Sequence, residues 1–149
     1  MTLPLLRVLA IGAAYALDGI VFGALAVGPP GAVRFWRLAA WVTSAALFGA
    51  HVAYERLRAG RPAPSGAARA AAAAAFGAFL LAAAGPARTR WGTDAFWRTA
   101  ALSLVLWPIV TGVPAFVAAW VGGSILERSV SWQGRTAERR QGGNSGMKS

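Results

Sequence analysis

The sequence predicts an all-α integral membrane protein whose four transmembrane helices form a bundle. Of its 149 residues, 56% are hydrophobic and only 13% are charged, whereas charged residues make up about 25% of an ordinary soluble domain. The apolar residues gather in four blocks, each near or above the roughly 17 to 25 residues that a helix needs to cross a bilayer. Short segments rich in proline and glycine separate the blocks. We expect a domain over residues 1–127, with spans at about 4–27, 35–57, 67–85 and 95–126.

The basic residues predict the orientation of these spans. Four crossings leave both termini on one side of the membrane. Ten positive residues fall on that side and five on the other, so the positive-inside rule places the N and C termini in the cytoplasm. The first set is Arg7, Arg56, Arg58, Arg61, Arg69, Arg128, Arg135, Arg139, Arg140 and Lys148, and the second is Arg34, Arg37, Arg88, Arg90 and Arg98. The excess of arginine over lysine suggests a GC-rich bacterial genome, and we expect a multi-pass protein of the inner membrane.

Residues 128–149 carry much of the formal net charge of +10 and lack apolar periodicity. We expect a flexible basic cytoplasmic tail, whose arginines are able to contact anionic lipid. A basic balance is also typical of nucleic-acid-binding domains, but here the arginines flank apolar blocks and form no soluble basic face. The expected partners are therefore the lipid bilayer and other membrane helices, and we expect no nucleic acid.

The first and third spans are built for close packing. In the first, Gly12, Ala16, Gly19 and Gly23 follow one helix face, and a stripe of small residues lets another backbone approach. The third span is small on nearly every face because it consists mainly of alanine. These two spans predict a bundle with tight helix contacts.

Polar residues interrupt the second span, and prolines interrupt the fourth. Most polar residues of the second span follow one stripe at steps of three and four residues, which predicts that this stripe faces protein; its members are Arg37, Trp41, Ser44, Phe48, His51, Glu55 and Arg58. The fourth span contains Pro108 and Pro114, each of which removes a backbone hydrogen bond, and we expect a bend there.

A short motif occurs in both halves of the chain. Phe35-Trp36-Arg37 returns as Phe96-Trp97-Arg98 at the start of the second and fourth blocks. Two interpretations stay open. The motifs are independent interfacial anchors, since tryptophan and arginine are common at the ends of spans, or the protein contains two parallel helix-pair repeats.

Asp18 is the most informative polar residue because an aspartate in the middle of a span is costly unless it faces protein. Tyr15 lies three residues earlier on the same face and is a candidate hydrogen-bond partner. Arg37 and Arg98 are candidate charge partners, since both enter the membrane from the side closer to Asp18.

His51 and Glu55 are one helical turn apart, so we expect them to share a hydrogen bond, with Arg58 three residues further on. Two interpretations compete. Asp18, Tyr15, His51 and Glu55 form a proton or cation path, because histidine titrates near neutral pH and ionisable groups inside a membrane are often functional. Alternatively, they form a structural seam between helices, which we favour because Glu55 lies close to the cytoplasmic surface.

Several chemistries are disfavoured by the residue types. The chain has no cysteine and one histidine, so we expect neither a closed zinc site nor a bis-histidine haem site, and no cofactor. Ser44, His51 and Asp18 have the residue types of a hydrolase triad, but Ser44 is two helical turns from His51, about 10 Å by rise. We therefore expect no enzymatic activity.

Two functions remain as hypotheses. The first is a non-catalytic inner-membrane protein that packs against itself, as a homo-oligomer, or against a larger membrane complex as an accessory subunit. The second is a small oligomeric proton-coupled transporter or channel that uses Asp18, His51 and Glu55.

Overall fold

The chain folds into four helices with no strand among the described residues. The computed structural model describes residues 3–87 and 92–145, with side chains for 5–86 and 92–128. The second helix continues directly into a π-helical turn, Tyr54–Arg58. The four helices are α1 (Leu3–Leu25), α2 (Pro30–Ala53), α3 (Ala63–Ala87) and α4 (Asp94–Ser145).

The helix ends follow from residues that suit turns. Gly28 and Gly60 have positive φ angles of 113° and 61°, which glycine adopts without the steric cost that a side chain would add. Proline at the first position of α2 is favourable because that residue needs no amide hydrogen. At the start of α4, the Thr93 hydroxyl accepts a hydrogen bond from the amide of Phe96 at 3.2 Å, as a capping residue does.

The fourth helix is longer than the span predicted within it. Its candidate span over Asp94–Arg128 agrees with the predicted 95–126, but the backbone of α4 stays helical to Ser145, past both Pro108 and Pro114. The flexibility predicted for residues 128–149 remains a prediction, and 146–149 lie outside the described residues. The other three helices begin and end within a few residues of the predicted spans.

Three of the four helices are long and apolar enough to cross a membrane, over Leu5–Leu25, Ala63–Pro86 and Asp94–Arg128. The second helix is long enough but not sufficiently apolar, because two arginines, two hydroxyl residues and a histidine interrupt it. The all-helical prediction is confirmed for the described residues, and three candidate spans are consistent with a membrane protein. Four spans were expected, and the structure supports three by composition.

Contacts between helices define their directions. Gly12 of α1 lies against Phe76 of α3, and Gly19 lies against Leu81, so these two helices are parallel. Asp18 contacts Ser44 while Arg7 contacts Tyr54, so α1 and α2 are antiparallel. In the same way, Gly112 and Gly123 of α4 approach Ala75 and Ala63 of α3, which makes that pair antiparallel.

The third helix makes the most extensive contacts with other helices. It packs most extensively against α4 and next against α1, whereas α2 packs mainly against α1. Within the described residues α1 and α4 make no contact, and α2 makes few with α3 and α4. The second helix meets those two through Phe48 and Val52, which pack on a cluster of Ala67, Ala70 and Ala119.

The distribution of side-chain size is the reverse of that in a soluble protein. The buried apolar residues are all alanines: Ala16, Ala63, Ala67, Ala70, Ala73, Ala74 and Ala119. Large apolar side chains face outward instead, and Leu17, Leu38 and Leu102 are each more than 60% exposed. Water would disfavour such a surface, so the arrangement fits a chain whose helices are surrounded by lipid.

The small-residue stripe of α1 faces α3 along most of its length. An added Cβ at Gly12 would lie 2.8 Å from the carbonyl oxygen of Ala73, and one at Gly77 would lie 2.8 Å from the carbonyl oxygen of Gly12. Ala16 is buried beside them. Gly23 does not share this packing, because a Cβ there would meet no atom of the described residues within 4 Å.

The repeated aromatic motif has the same local geometry in both places. The rings of Phe35 and Trp36 pack edge to face at 5.1 Å, and those of Phe96 and Trp97 do so at 5.2 Å. Both motifs occupy the first turns of the second helix in an antiparallel pair. This similarity is consistent with either interpretation, and the duplication stays a hypothesis.

Candidate functional site

Asp18 is bound by two hydroxyl groups of α2. Ser44 Oγ donates a hydrogen bond to Asp18 Oδ2 at 2.6 Å. Thr43 Oγ1 lies 2.8 Å from Asp18 Oδ1, and its single proton has the carbonyl oxygens of Ala39 and Ala40 as competing acceptors at 2.9 and 3.1 Å. A hydroxyl therefore faces each carboxylate oxygen, and the carboxylate ties the middle of α1 to the middle of α2. We call this group of three residues the Asp18 contact.

The partners predicted for Asp18 were different and were wrong. Arg37 and Arg98 are exposed, and no ion pair joins either to Asp18 among the described residues. Tyr15 does not bond to Asp18 either, because its buried hydroxyl has no hydrogen-bond partner in the described part of the chain. Hydroxyl groups at the depth of Asp18 satisfy it more directly than arginines that would have to reach down from the end of a helix.

A second polar group lies at the far end of α2. Glu55 is 5% exposed, and Arg61 Nη1 donates a hydrogen bond to its Oε2. His51 is also buried, but its Nε2 is 4.0 Å from Glu55 Oε1, which is too long for a hydrogen bond. The predicted hydrogen bond between these two residues is therefore wrong, although they are neighbours.

The π-helical turn explains why Arg61 rather than Arg58 pairs with Glu55. In this turn the amide of Ala59 donates to the carbonyl of Tyr54 at 3.1 Å, five residues back. The wider turn changes the angle between successive side chains, so a spacing of three no longer brings two residues to the same face. Arg58 is exposed, and its predicted place beside Glu55 was wrong.

Two further contacts connect the same end of the protein. Arg56 Nη2 forms an ion pair with Glu127 Oε1 of α4 at 2.5 Å, and Arg7 Nη1 of α1 donates to the Tyr54 hydroxyl at 3.2 Å. With Glu55 and Arg61, these contacts connect the π-helical turn to α1, to α4 and to the segment just before α3. We call His51, Glu55, Arg56, Arg61 and Glu127 the charged cluster.

The Asp18 contact and the charged cluster are separate. Ser44 and His51 are seven residues apart in α2, about 10 Å along the axis. One buried atom of the cluster, His51 Nδ1, has no hydrogen-bond partner among the described residues. No three of the described histidine, aspartate and glutamate residues are placed to hold a metal ion together.

A cavity of about 720 Å³ lies between the four helices, at the level of the Asp18 contact. Its lining is uncharged, and its polar atoms are few. Tyr15 and Ser44 contribute from α1 and α2, and Thr111 from α4. The full lining, which we call the central cavity, is Tyr15, Gly19, Trp41, Ser44, Ala45, Phe48, Ala74, Gly77, Ala78, Leu81, Ala82, Trp107, Thr111, Pro114, Ala115 and Ala118.

The predicted polar stripe of α2 corresponds only in part to this interior. Ser44 and Phe48 line the cavity, and His51 and Glu55 are buried beyond it. Trp41 also lines the cavity but is 77% exposed, and Arg37 is exposed. The residues of the stripe near the start of α2 are therefore exposed, and those near its end face the other helices.

Sequence reasoning missed the residues that face the carboxylates of Asp18 and Glu55, namely Thr43, Ser44 and Arg61. The signal for Ser44 was present, because it lies nine residues from the start of the second predicted span and Asp18 lies nine residues from the end of the first. Antiparallel helices place these positions at equal depth. Arg61 follows the π-helical turn, which no pattern in the sequence indicated.

Comparisons of the chain with protein-family models, with curated proteins and with solved structures find no match.

Proposed function

We propose that the chain is a multi-pass protein of a bacterial inner membrane, with four transmembrane helices and both termini in the cytoplasm. The length of α2 with its π-helical turn supports a fourth span, since residues 30–58 rise about 43 Å against a hydrocarbon core of about 30 Å. Its two arginines lie near its start, where long side chains reach water. The charged cluster lies at the end that the positive-inside rule assigns to the cytoplasm, because that end also collects Arg7, Arg58 and Arg69.

Within this membrane, the protein acts as a non-catalytic packing protein, either by self-association or as an accessory subunit of a larger complex. The pairing of partly buried Asp18 and buried Glu55 with groups of the same chain is the observation that supports this proposal. Asp18 accepts from Ser44 and faces the Thr43 hydroxyl, and Glu55 accepts from Arg61. Polar groups used in this way join helices and leave little for chemistry with a substrate. We propose no enzymatic activity and no cofactor.

The oligomeric state tests this function. The full chain is extracted in a mild detergent and its mass is measured by native mass spectrometry and by light scattering. A defined homo-oligomer, or a second protein held in fixed ratio, is expected. A monomer alone, unchanged when the chain is reconstituted and cross-linked in liposomes, would contradict the proposal.

A proton-coupled carrier is the second candidate, and one observation favours it. The Tyr15 hydroxyl and His51 Nδ1 are buried without partners in the described part of the chain, and both are groups able to take part in proton transfer. Tyr15 lines the central cavity, while His51 belongs to the charged cluster. Proton flux into liposomes carrying Asp18→Asn, Tyr15→Phe or His51→Ala variants tests the idea. Flux equal to that of the original chain in all three would eliminate the carrier.

A further inference from the structure

The lining of the central cavity restricts the kind of molecule that could occupy it. None of its sixteen residues is charged, so an ion would enter without a counter-charge, at a high desolvation cost. The wall of α3 consists of Ala74, Gly77, Ala78, Leu81 and Ala82, which is smooth and apolar. A neutral and largely apolar molecule would therefore match the electrostatics of this lining.

The size of the cavity also restricts its occupant. Its volume of about 720 Å³ lies within the roughly 300 to 1,000 Å³ of small-molecule sites. An empty apolar space of this size would forfeit many dispersion contacts along its walls. Lipid chains surround the protein at high concentration, and they are the molecules able to fill it from the bilayer.

Two tryptophans mark the entrance. Trp41 and Trp107 line the cavity yet are 77% and 57% exposed. They belong to α2 and α4, which make few contacts with each other. They lie about 17 and 20 Å from the starts of their helices, near the middle of a hydrocarbon core of about 30 Å. Tryptophan usually occupies the interface with water, so an exposed pair at this depth needs another explanation.

We propose that the central cavity binds the acyl chain of a bilayer lipid, which enters sideways between α2 and α4 past Trp41 and Trp107. The chain lies against the alanine-rich wall of α3, and the two indole rings cover it on the bilayer side. The Asp18 contact holds α2 against α1 behind the cavity and keeps the space open. The site requires a bilayer around the helices but is independent of self-association.

A photoreactive lipid tests this site. The full chain is reconstituted in liposomes of phosphatidylcholine that contain a fraction with a diazirine in the middle of one acyl chain. After illumination, adducts are mapped by mass spectrometry. Adducts on Ala74 and Ala78 are expected, because both residues belong to the cavity wall. Ala74 is only 9% exposed, so a lipid chain on the outer surface would not label it efficiently. Adducts confined to outward residues such as Leu102 would overturn the proposal.

Matched variants separate occupancy of the cavity from general contact with lipid. Ala45→Phe with Ala115→Phe fills the space from α2 and α4, and loss of the adducts on α3 is expected. Ala46→Phe with Ala101→Phe places the same rings on exposed positions that do not line the cavity, and the adducts are expected to persist. Equal labelling of the α3 wall in both pairs would overturn the site.

A third experiment needs only one small substitution, so it leaves the packing of the helices unchanged. Because the chain lacks cysteine, Ala78→Cys provides a single thiol in the cavity wall. Protection from a water-soluble maleimide is expected when an acyl chain fills the space. Rapid labelling would indicate a water-filled cavity, and cross-linking of two copies through Cys introduced at residue 78 would indicate a second protein chain there. Either result would overturn the proposal.

Discussion

The contact of α3 with α1 and the contact of α2 with α1 hold helices together by different means. Between α1 and α3, Gly12 and Gly77 bring backbone against backbone, with no space for a methyl group. Between α1 and α2, the Asp18 carboxylate and two hydroxyl groups form the contact. In lipid, where apolar association has little driving force, shape and hydrogen bonds are the two sources of helix affinity.

The difference explains where the cavity lies. Close packing through small residues excludes space between α1 and α3. Hydrogen bonds fix α2 at the Asp18 contact and at the charged cluster, and Phe48 and Val52 pack on the alanine cluster. The surface of α2 from Trp41 to Phe48 is otherwise left open towards α3 and α4. The central cavity occupies that surface, with Ser44 and Phe48 on its α2 wall.

The largest effect is expected from breaking the close-packed side. A Cβ at Gly77 would lie 2.8 Å from both the Gly12 carbonyl oxygen and the Tyr15 Cβ. Neither atom belongs to the flexible end of a side chain. Gly77→Leu should lower the free energy of unfolding by about 3 kcal/mol, measured by SDS titration in mixed micelles. Gly23→Leu is the control, because nothing lies within 4 Å of that position; equal losses would contradict close packing.

The next effect concerns the buried end of α2. Glu55→Gln preserves the shape of the side chain but removes the charge that accepts from Arg61. Because Glu55 is buried, the unfolding free energy should fall by about 2 kcal/mol, as for hydrogen bonds that involve a charged group. The same titration measures it. Arg61→Gln should give a similar loss, and the double variant should lose much less than the sum of the two.

A smaller effect is expected at the Asp18 contact. Asp18→Asn and Ser44→Ala, measured singly and together, should give a coupling of about 1 kcal/mol, the range of hydrogen bonds between membrane helices. Ser103→Ala is the control, since its hydroxyl donates to the Thr99 carbonyl of the same helix at 2.8 Å. Additive losses for Asp18 and Ser44 would show that this contact does not hold the helices together.

The smallest effect is expected from Glu127→Gln. The side chain of Glu127 is 58% exposed, so its ion pair with Arg56 is well solvated. A loss of about 0.5 kcal/mol or less is expected, and it should vanish when the titration is repeated in high salt. A loss that matches Glu55→Gln would mean that this ion pair is as important as the buried one.

Much of the fold could be predicted because its signals are local. Apolar length predicted the helices, and glycine and proline predicted where α1 and α2 end. The end of α4 was missed because the polarity of residues after Leu126 was taken as the end of the helix. Polar side chains indicate that a segment lies in water, but they do not show that its helical backbone hydrogen bonds are absent.

The site was harder to predict because it depends on distances between helices. The position of Asp18 indicated a partner inside the protein. Arginines at the helix ends were predicted, whereas Thr43 and Ser44 lie at the same depth as Asp18. The pairing of Glu55 with Arg61 depends on a π-helical turn that shifts the register by a residue. The cavity arises from what α2 fails to contact, and a single sequence contains no pattern for missing contacts.

The central place of α3 has a consequence for biosynthesis. Ribosomes deliver the helices in chain order, so α3 enters the membrane before the helix that covers most of it has been made. Its many alanines make it less apolar than the candidate spans of α1 and α4. In the insertion proposed above, a nascent chain that lacks α4 would leave the face of α3 that α4 covers open to the bilayer, and arrival of the last helix would close that face.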